Sequence, residues 1–377
     1  MILFMTINEV YMAKYSMRIT AWWPTVVILY LLLQYVVFRL ILPVFDMTSR
    51  KVWTNVVKIG AITGMLLMLA AQLRVDPYTV KVDRWSALHF PVQYLLNGDY
   101  PYSAPTHLGG RASPFPVWQL FHIPFYLCNN VGLSLFATLG IFFWAINKVI
   151  SHSAAWKALV LVSMSLSFYY EASVRSDILA NFLLLASSVL LITPYLSQKW
   201  VSKYYIPLSI ITGLFASTRV LTILPIAILF LPYYIKLKPN KMIFIPLIIL
   251  AVFISTFVPI VMLDPHEFFY GINSPWRLQT RQGNSIDFLI FIPLIIWFAF
   301  IWRKSYVKYC LMTSIYLILF VTITITHNMI RSGNFNLYDP MYDITYFVPA
   351  MPFIIIGFVL IHNTCLSSPH RNLESNE

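Results

Sequence analysis

The chain has 377 residues, of which 59% are hydrophobic and only 11% charged, whereas soluble globular chains carry about a quarter of their residues charged; a soluble fold is excluded. A formal charge of +12 would suggest nucleic acid in a soluble protein. Here the cations lie mostly between apolar stretches, where they set orientation across a bilayer, so no nucleic-acid partner is expected.

In chain order, Met5, Met12 and Met17 precede the first strong apolar run, Trp22 to Leu42. That run is long enough to span and lacks a small-residue cleavage site, so it is expected to remain as a helix rather than leave as a signal peptide. Further spans are expected at 56–73, 132–150, 157–171, 177–194, 204–217, 219–235, 242–263, 286–302, 309–326 and 345–363. These recurrent stretches match what a hydrocarbon core of roughly 30 Å demands. The expected fold class is therefore all-α, a polytopic transmembrane helical bundle of about eleven spans in one membrane domain over 1–377. The leftover piece Pro114 to Cys128, with Pro114, Pro116 and Pro124, fits an interfacial or re-entrant segment better than a crossing. Cys128, Cys310 and Cys365 show neither CxxC nor Cys/His spacing and read as packing residues.

With 114–128 not crossing, the loops 39–58, 148–157, 199–203, 236–241, 303–308 and the C-terminal tail hold fifteen cations against Asp46, Glu374 and Glu377, and face the cytoplasm. Eleven of the thirteen lysines lie there, while nine of the thirteen arginines fall on the other face. Arginine's planar fork matches phosphate oxygens, so the outer loops 74–113, 264–285 and 327–344 point to a phosphate-bearing ligand; interfacial snorkelling is the plainer alternative. No Asn-x-Ser/Thr sequon occurs, which favours a bacterial plasma membrane.

The loop after the second span carries the most information. Trp85, Leu88, Val92, Leu95 and Leu96 recur at helical spacing and Gly98 closes the run, predicting an amphipathic helix on the membrane surface. Asp83 stands at its start, where a carboxylate either caps free amides or acts as a base. Arg84, Asp99, Tyr100, Tyr102 and Arg111 follow in the same loop, a mixture of acids and aromatics suited to holding a sugar. Further along, Arg175 and Asp177 lie in a turn between two spans, with Asp177 or Ser176 as an alternative helix cap. Arg219 sits at the tip of a short hairpin, aimed at a phosphate or paired with Asp177 or Glu171. Arg277 and Arg281, four apart around Gln279, are suited to clamp a phosphate in either a helix or a strand, or equally to contact a lipid headgroup. His327, Arg331, Asp339, Tyr342, Asp343 and Tyr346 cluster before the last span. His266, Glu267 and His327 lack metal-ligand spacing, so no metal or other cofactor is expected. P-loop, GxGxxG, GxSxG and HExxH motifs are absent from suitable contexts, which argues against nucleotide hydrolysis, dinucleotide redox chemistry and serine or zinc hydrolysis.

The order span, loop aspartate, amphipathic helix, Gly98-Asp-Tyr-Pro-Tyr102 and Pro-rich apolar segment resembles the first outer loop of GT-C glycosyltransferases, particularly the polyprenyl-phosphate-mannose-dependent mannosyltransferases. Ser173-Val-Arg-Ser-Asp177-Ile-Leu-Ala-Asn181 resembles a turn between two spans in the glycolipid-anchor mannosyltransferases. The resemblance covers about Gly60 to Tyr234 and implies a catalytic aspartate at Asp83. Several members carry Asp-x-Asp, where this chain has Lys81-Val-Asp83, so the first acid is missing. The implied activity is inverting transfer of mannose or another hexose from a polyprenyl-phosphate donor to a glycan or glycolipid acceptor on the outer face, with membrane lipids as surroundings. Arg219, Arg277, Arg281 and Arg175 are expected on the donor phosphate. Arg84, Asp99, Tyr102, Arg111, Asp177, Gln279, Tyr342 and Asp343 are expected around sugar and acceptor. A polysaccharide polymerase or a flippase for lipid-linked sugars would use similar outer arginines and stays open.

Overall fold

The computed structural model describes residues 1–46, 51–280, 285–302, 305–339 and 341–364. Among the described residues the fold is all-α, with one isolated bridge between Pro105 and Arg111 and no strands. Arg281 and Cys365, both singled out from the sequence, lie outside them.

The first element was not expected. Helix α1 (Ile2–Ser16) packs antiparallel on α2 (Trp23–Val36), with Phe4 edge-on to Phe38 and Gln34 donating to Glu9. Its polar residues find partners inside the protein, which is why hydropathy alone passes over it. Helix α2 continues through a π turn (Val37–Ile41) and a 3-10 turn (Leu42–Asp46), and Asp46 receives the buried ammonium of Lys157 at 2.6 Å and 2.7 Å.

Helix α3 (Lys51–Arg74) leads to the surface helix α4 (Ser86–Asn97), which ends on Gly98 at φ +82°, the left-handed conformation glycine adopts at no steric cost. Helix α5 (Pro116–Leu127) is only 12 residues, about 18 Å. Its entry shows why the prolines matter. Pro114 and Pro116 have no N–H, and the two amides left between and after them, Phe115 and Val117, donate to the carbonyls of Thr218 and Ser217 at 3.1 Å each. The segment between α4 and α5 is thereby fastened to a hairpin tip about a hundred residues downstream. Cys128, just past α5, is exposed rather than packed, whereas Cys310 is buried as expected.

After α6 (Leu133–Val149) the expected span 157–171 proves to be two helices, α7 (His152–Met164) and α8 (Leu166–Ser173), broken at Ser165. A break inside a bundle must have its freed backbone groups satisfied by protein. Tyr30 donates to Met164 O and accepts from Leu166 N, while Asn8 Oδ1 accepts from Ser165 Oγ at 2.8 Å and Ser167 N at 3.3 Å.

Helix α9 (Ile178–Ile192) is largely buried and packed on α6. It is followed by α10 (Gln198–Lys203), α11 (Tyr205–Ala216), α12 (Ile223–Tyr234), α13 (Pro239–Leu263), α14 (Pro265–Tyr270), α15 (Pro275–Thr280), α16 (Ser285–Ile301), α17 (Tyr306–Ser332) and α18 (Met351–Thr364). Among the described residues six helical stretches are long and apolar enough to cross a membrane: Trp23–Asp46, Lys51–Arg74, Ile178–Tyr195, Pro239–Leu263, Tyr306–Ser332 and Ile344–His362. Leu133–Val149, Tyr205–Ala216, Val220–Tyr234 and Leu289–Ile301 are shorter apolar helices. The main core lies between α1, α6, α7, α9, α17 and α18.

Candidate functional site: a cavity rimmed by arginine and amide side chains

A cavity of about 700 Å³ opens between α9, the start of α12, α15, the end of α17 and residues 341–346. Its deep wall is apolar, formed by Phe182, Leu221, Leu224, Phe320, Val321 and Ile325; its rim carries Arg219, Gln279, Asn328, Arg331, Tyr342 and Asp343.

Arg219 is 7% exposed and stands in extended backbone between α11 and the turn that opens α12. Its Nε donates to Asp177 Oδ2 at 3.0 Å and its Nη2 to the same oxygen, which also accepts from Trp118 Nε1 at 2.8 Å. Asp177 is thus the ion-pair partner of Arg219, the pairing given from the sequence as the alternative for that arginine. A guanidinium has five N–H donors, so three remain for the cavity. Asp177 does not cap α9: Glu171 does, its Oε2 accepting from Leu179 N at 3.2 Å.

Arg331, in the last turn of α17, is exposed at the rim, and among the described residues no acceptor reaches it. With Arg219 it is the second cation on the cavity. A span expected at 309–326 leaves Arg331 in a loop; the helix instead runs on to Ser332 and carries Asn328 and Arg331 on successive turns.

Residues 341–346 are held from two sides. Lys14 of α1, buried, donates to Tyr342 O at 2.9 Å, and Tyr342 Oη donates to Asn334 O at 2.6 Å. Arg84 pairs with Asp343, donates to Thr345 Oγ1 at 2.9 Å and lies over the Tyr346 ring. Gln279 donates to Ser113 O, which brings the segment between α4 and α5 to the cavity edge.

Asp83 does not line the cavity. It stands one residue from Arg84, and its side chain makes no cap to α4. Thr106 Oγ1 donates to Asp83 Oδ2 at 3.1 Å while accepting from Gly110 N at 2.8 Å, and among the described residues Oδ1 has no partner. The loop 105–111 wraps this carboxylate. His107 fixes the loop, with Nδ1 2.7 Å from Ser86 Oγ and Nε2 2.9 Å from Val80 O. The Gly109-Gly110 pair between two prolines was the available signal for this loop: Gly109 takes φ +79° and Gly110 lies against the carboxylate.

Several expected ligands have other partners. Arg175, at φ +51°, donates to Gln72 O at 3.0 Å and Val75 O at 3.4 Å, closing the carbonyl end of α3. Arg111 donates to Asn273 Oδ1 at 3.0 Å and joins two loops. Tyr102 is fully buried, donates to Pro114 O at 3.1 Å, and packs with Tyr100, Phe115, Phe257 and Phe268. Asp99 and Arg277 are exposed away from the cavity. Of the predicted residues, Arg219, Gln279, Tyr342 and Asp343 converge on it, with Arg84 immediately behind. Among the described residues no three His, Cys, Asp or Glu side chains gather as metal ligands would.

On α5, burial pushes His122 down to about 4, so its ring is neutral, lying between Trp118 O at 2.7 Å and Ser134 Oγ at 3.0 Å. Comparison with protein-family models, curated proteins and solved structures gives no match.

Proposed function

We propose that the chain is a membrane-embedded, inverting hexosyltransferase of GT-C type that takes mannose or another hexose from a polyprenyl-phosphate donor. The acceptor is a lipid-linked or surface glycan on the non-cytoplasmic face of a bacterial plasma membrane. The observation that carries this reading is the cavity itself: an apolar wall deep in the bundle and two arginines at its rim fit an amphiphile with an isoprenoid tail and a phosphate head. In this reading the six long helices, the four shorter ones and the broken α7–α8 pair make the eleven passes.

The phosphate sits against the three free N–H groups of Arg219 and the guanidinium of Arg331, with Gln279 and Asn328 beside it. Arg219 and Arg331 stabilise the negative charge that develops as the bond between the anomeric carbon and the phosphate oxygen breaks. The acceptor hydroxyl oxygen attacks the opposite face of that carbon, the bonding pair leaves with the phosphate, and the hydroxyl proton passes to Asp83. That carboxylate keeps one oxygen unbonded, as a base requires. The acceptor enters past the 105–111 loop, so Asp83 acts from outside the donor cavity.

The test is sugar transfer from a radiolabelled polyprenyl-phosphate hexose in isolated membranes. Asp83→Asn should reduce transfer by about 10² or more with donor binding kept, and Arg331→Ala should weaken donor binding. Wild-type transfer by Asp83→Asn would refute the assigned base.

A further inference from the structure

From Ile178 to Leu263 the chain holds no aspartate or glutamate, yet it carries Lys199, Lys203, Lys236, Lys238 and Lys241. All five lie at one end of the α11–α12–α13 group. Lys241 fastens that end, donating to Ser202 O at 2.6 Å and Ser202 Oγ at 2.8 Å. The other four are exposed. Tyr195 stacks on Trp200, and Trp200 packs against Tyr204, an aromatic belt of the kind that marks a membrane–water interface.

From this level a second cavity, about 250 Å³, runs between α11, α12 and α13. Val201, Tyr205, Tyr234 and Leu237 line its lysine end, and Ile226 and Ile249 are also in its wall. Of the four hydroxyls that line it, three are spent, Ser209 donating to Tyr205 O at 2.6 Å, Thr212 to Leu208 O at 2.8 Å and Tyr234 to Met242 O at 2.7 Å, and the fourth, of Tyr205, is at the lysine end. The interior therefore offers nothing to a polar molecule. At its mouth, lining residues alternate in sequence with lysines: Val201 precedes Lys203 by two residues, and Leu237 lies between Lys236 and Lys238. An apolar slot opening into a cationic mouth with no acid nearby in sequence matches one amphiphile in charge and polarity.

We propose that this groove binds an anionic glycerophospholipid of the cytoplasmic leaflet, with an acyl chain in the cavity and the phosphate against Lys203, Lys236 and Lys238. The site is separate from the transfer reaction and shares no residue with the first cavity. Lysines that only set orientation during insertion need no slot beside them.

The full chain, purified in mild detergent, is equilibrated with equal amounts of phosphatidylglycerol and phosphatidylcholine, and retained lipid is counted by native mass spectrometry. Phosphatidylglycerol should be retained at least about tenfold over phosphatidylcholine. The pair Lys236→Gln and Lys238→Gln should lower its retention about tenfold and leave phosphatidylcholine unchanged. Ala227→Phe, which fills the slot and keeps every lysine, should abolish retention, with Ala227→Leu as the milder substitute if the melting temperature falls. Equal retention of the two lipids by the wild type, or unchanged retention in either variant, overturns the proposal. Displacement of the lipid by excess glycerol 3-phosphate also overturns it, because the site would then be one for free anions.

Discussion

Replacing Gly110 by alanine places a methyl group against Asp83 Oδ2 well inside 3.0 Å, an approach that Cβ atoms essentially never make, and 3.0 Å from Thr106 Oγ1. Ordinary contact begins at 3.4 Å, so the carboxylate must retreat by something on the order of 1 Å, the scale of displacement that costs a catalytic group about 10² in rate. Gly110 does not use positive φ, so the backbone itself accepts alanine. The expected outcome is transfer from a polyprenyl-phosphate donor reduced about 10²-fold, with an unchanged melting temperature and donor affinity. Gly60→Ala is the control: it sits in α3 with nothing within 4 Å of the added methyl and should leave transfer alone. The decisive measurement is the Asp83→Asn background. If the methyl acts by displacing the base, Gly110→Ala adds almost nothing there. A full 10²-fold loss on top of Asp83→Asn, or wild-type transfer by Gly110→Ala alone, refutes the assignment.

Removing Arg219 by alanine leaves Asp177, 2% exposed, as a buried charge held only by Trp118, and should cost about 3–5 kcal/mol; thermal melting in detergent reads it, and a loss below about 1 kcal/mol would show that the pair is not buried as described. His122 supplies a pH dependence. Its ordinary value is 6.5 and burial lowers it to about 4, so the unfolded chain takes up the proton first as pH falls. Stability is full above about 6.5 and declines between 6.5 and 4 by about 3 kcal/mol, and His122→Gln should flatten that slope in melting curves.

The apolar helices were legible because segment length and hydropathy report directly on the solvent they cross. Helix α1 was not, because Asn8, Glu9 and Lys14 read as soluble residues until Ser165, Gln34 and the carbonyl of Tyr342 are seen to answer them. The break at Ser165 is hidden for the same reason. The amphipathic helix after Asp83 and its glycine stop were plain in the spacing. The fates of the arginines were not: a guanidinium donates equally well to phosphate, carboxylate or peptide carbonyl, and Arg175 and Arg111 went to a carbonyl end and an asparagine. Arg331 lies beyond the apolar run that ends at 326, on a helix whose polar last turns extend to Ser332.

The bonds from Phe115 and Val117 to the hairpin tip use main-chain atoms alone. While Phe115 is itself fixed by packing against Phe257 and Trp276 and Ser217 by its hydroxyl contact with Thr256, the hydrogen bonds of this joint need only that 115 and 117 are not proline. The loop holding the carboxylate and the hairpin holding the rim cation can therefore diversify in sequence while keeping their mutual position. In the proposed transferase, specificity for sugar and acceptor can then drift on a frame that main-chain hydrogen bonds align.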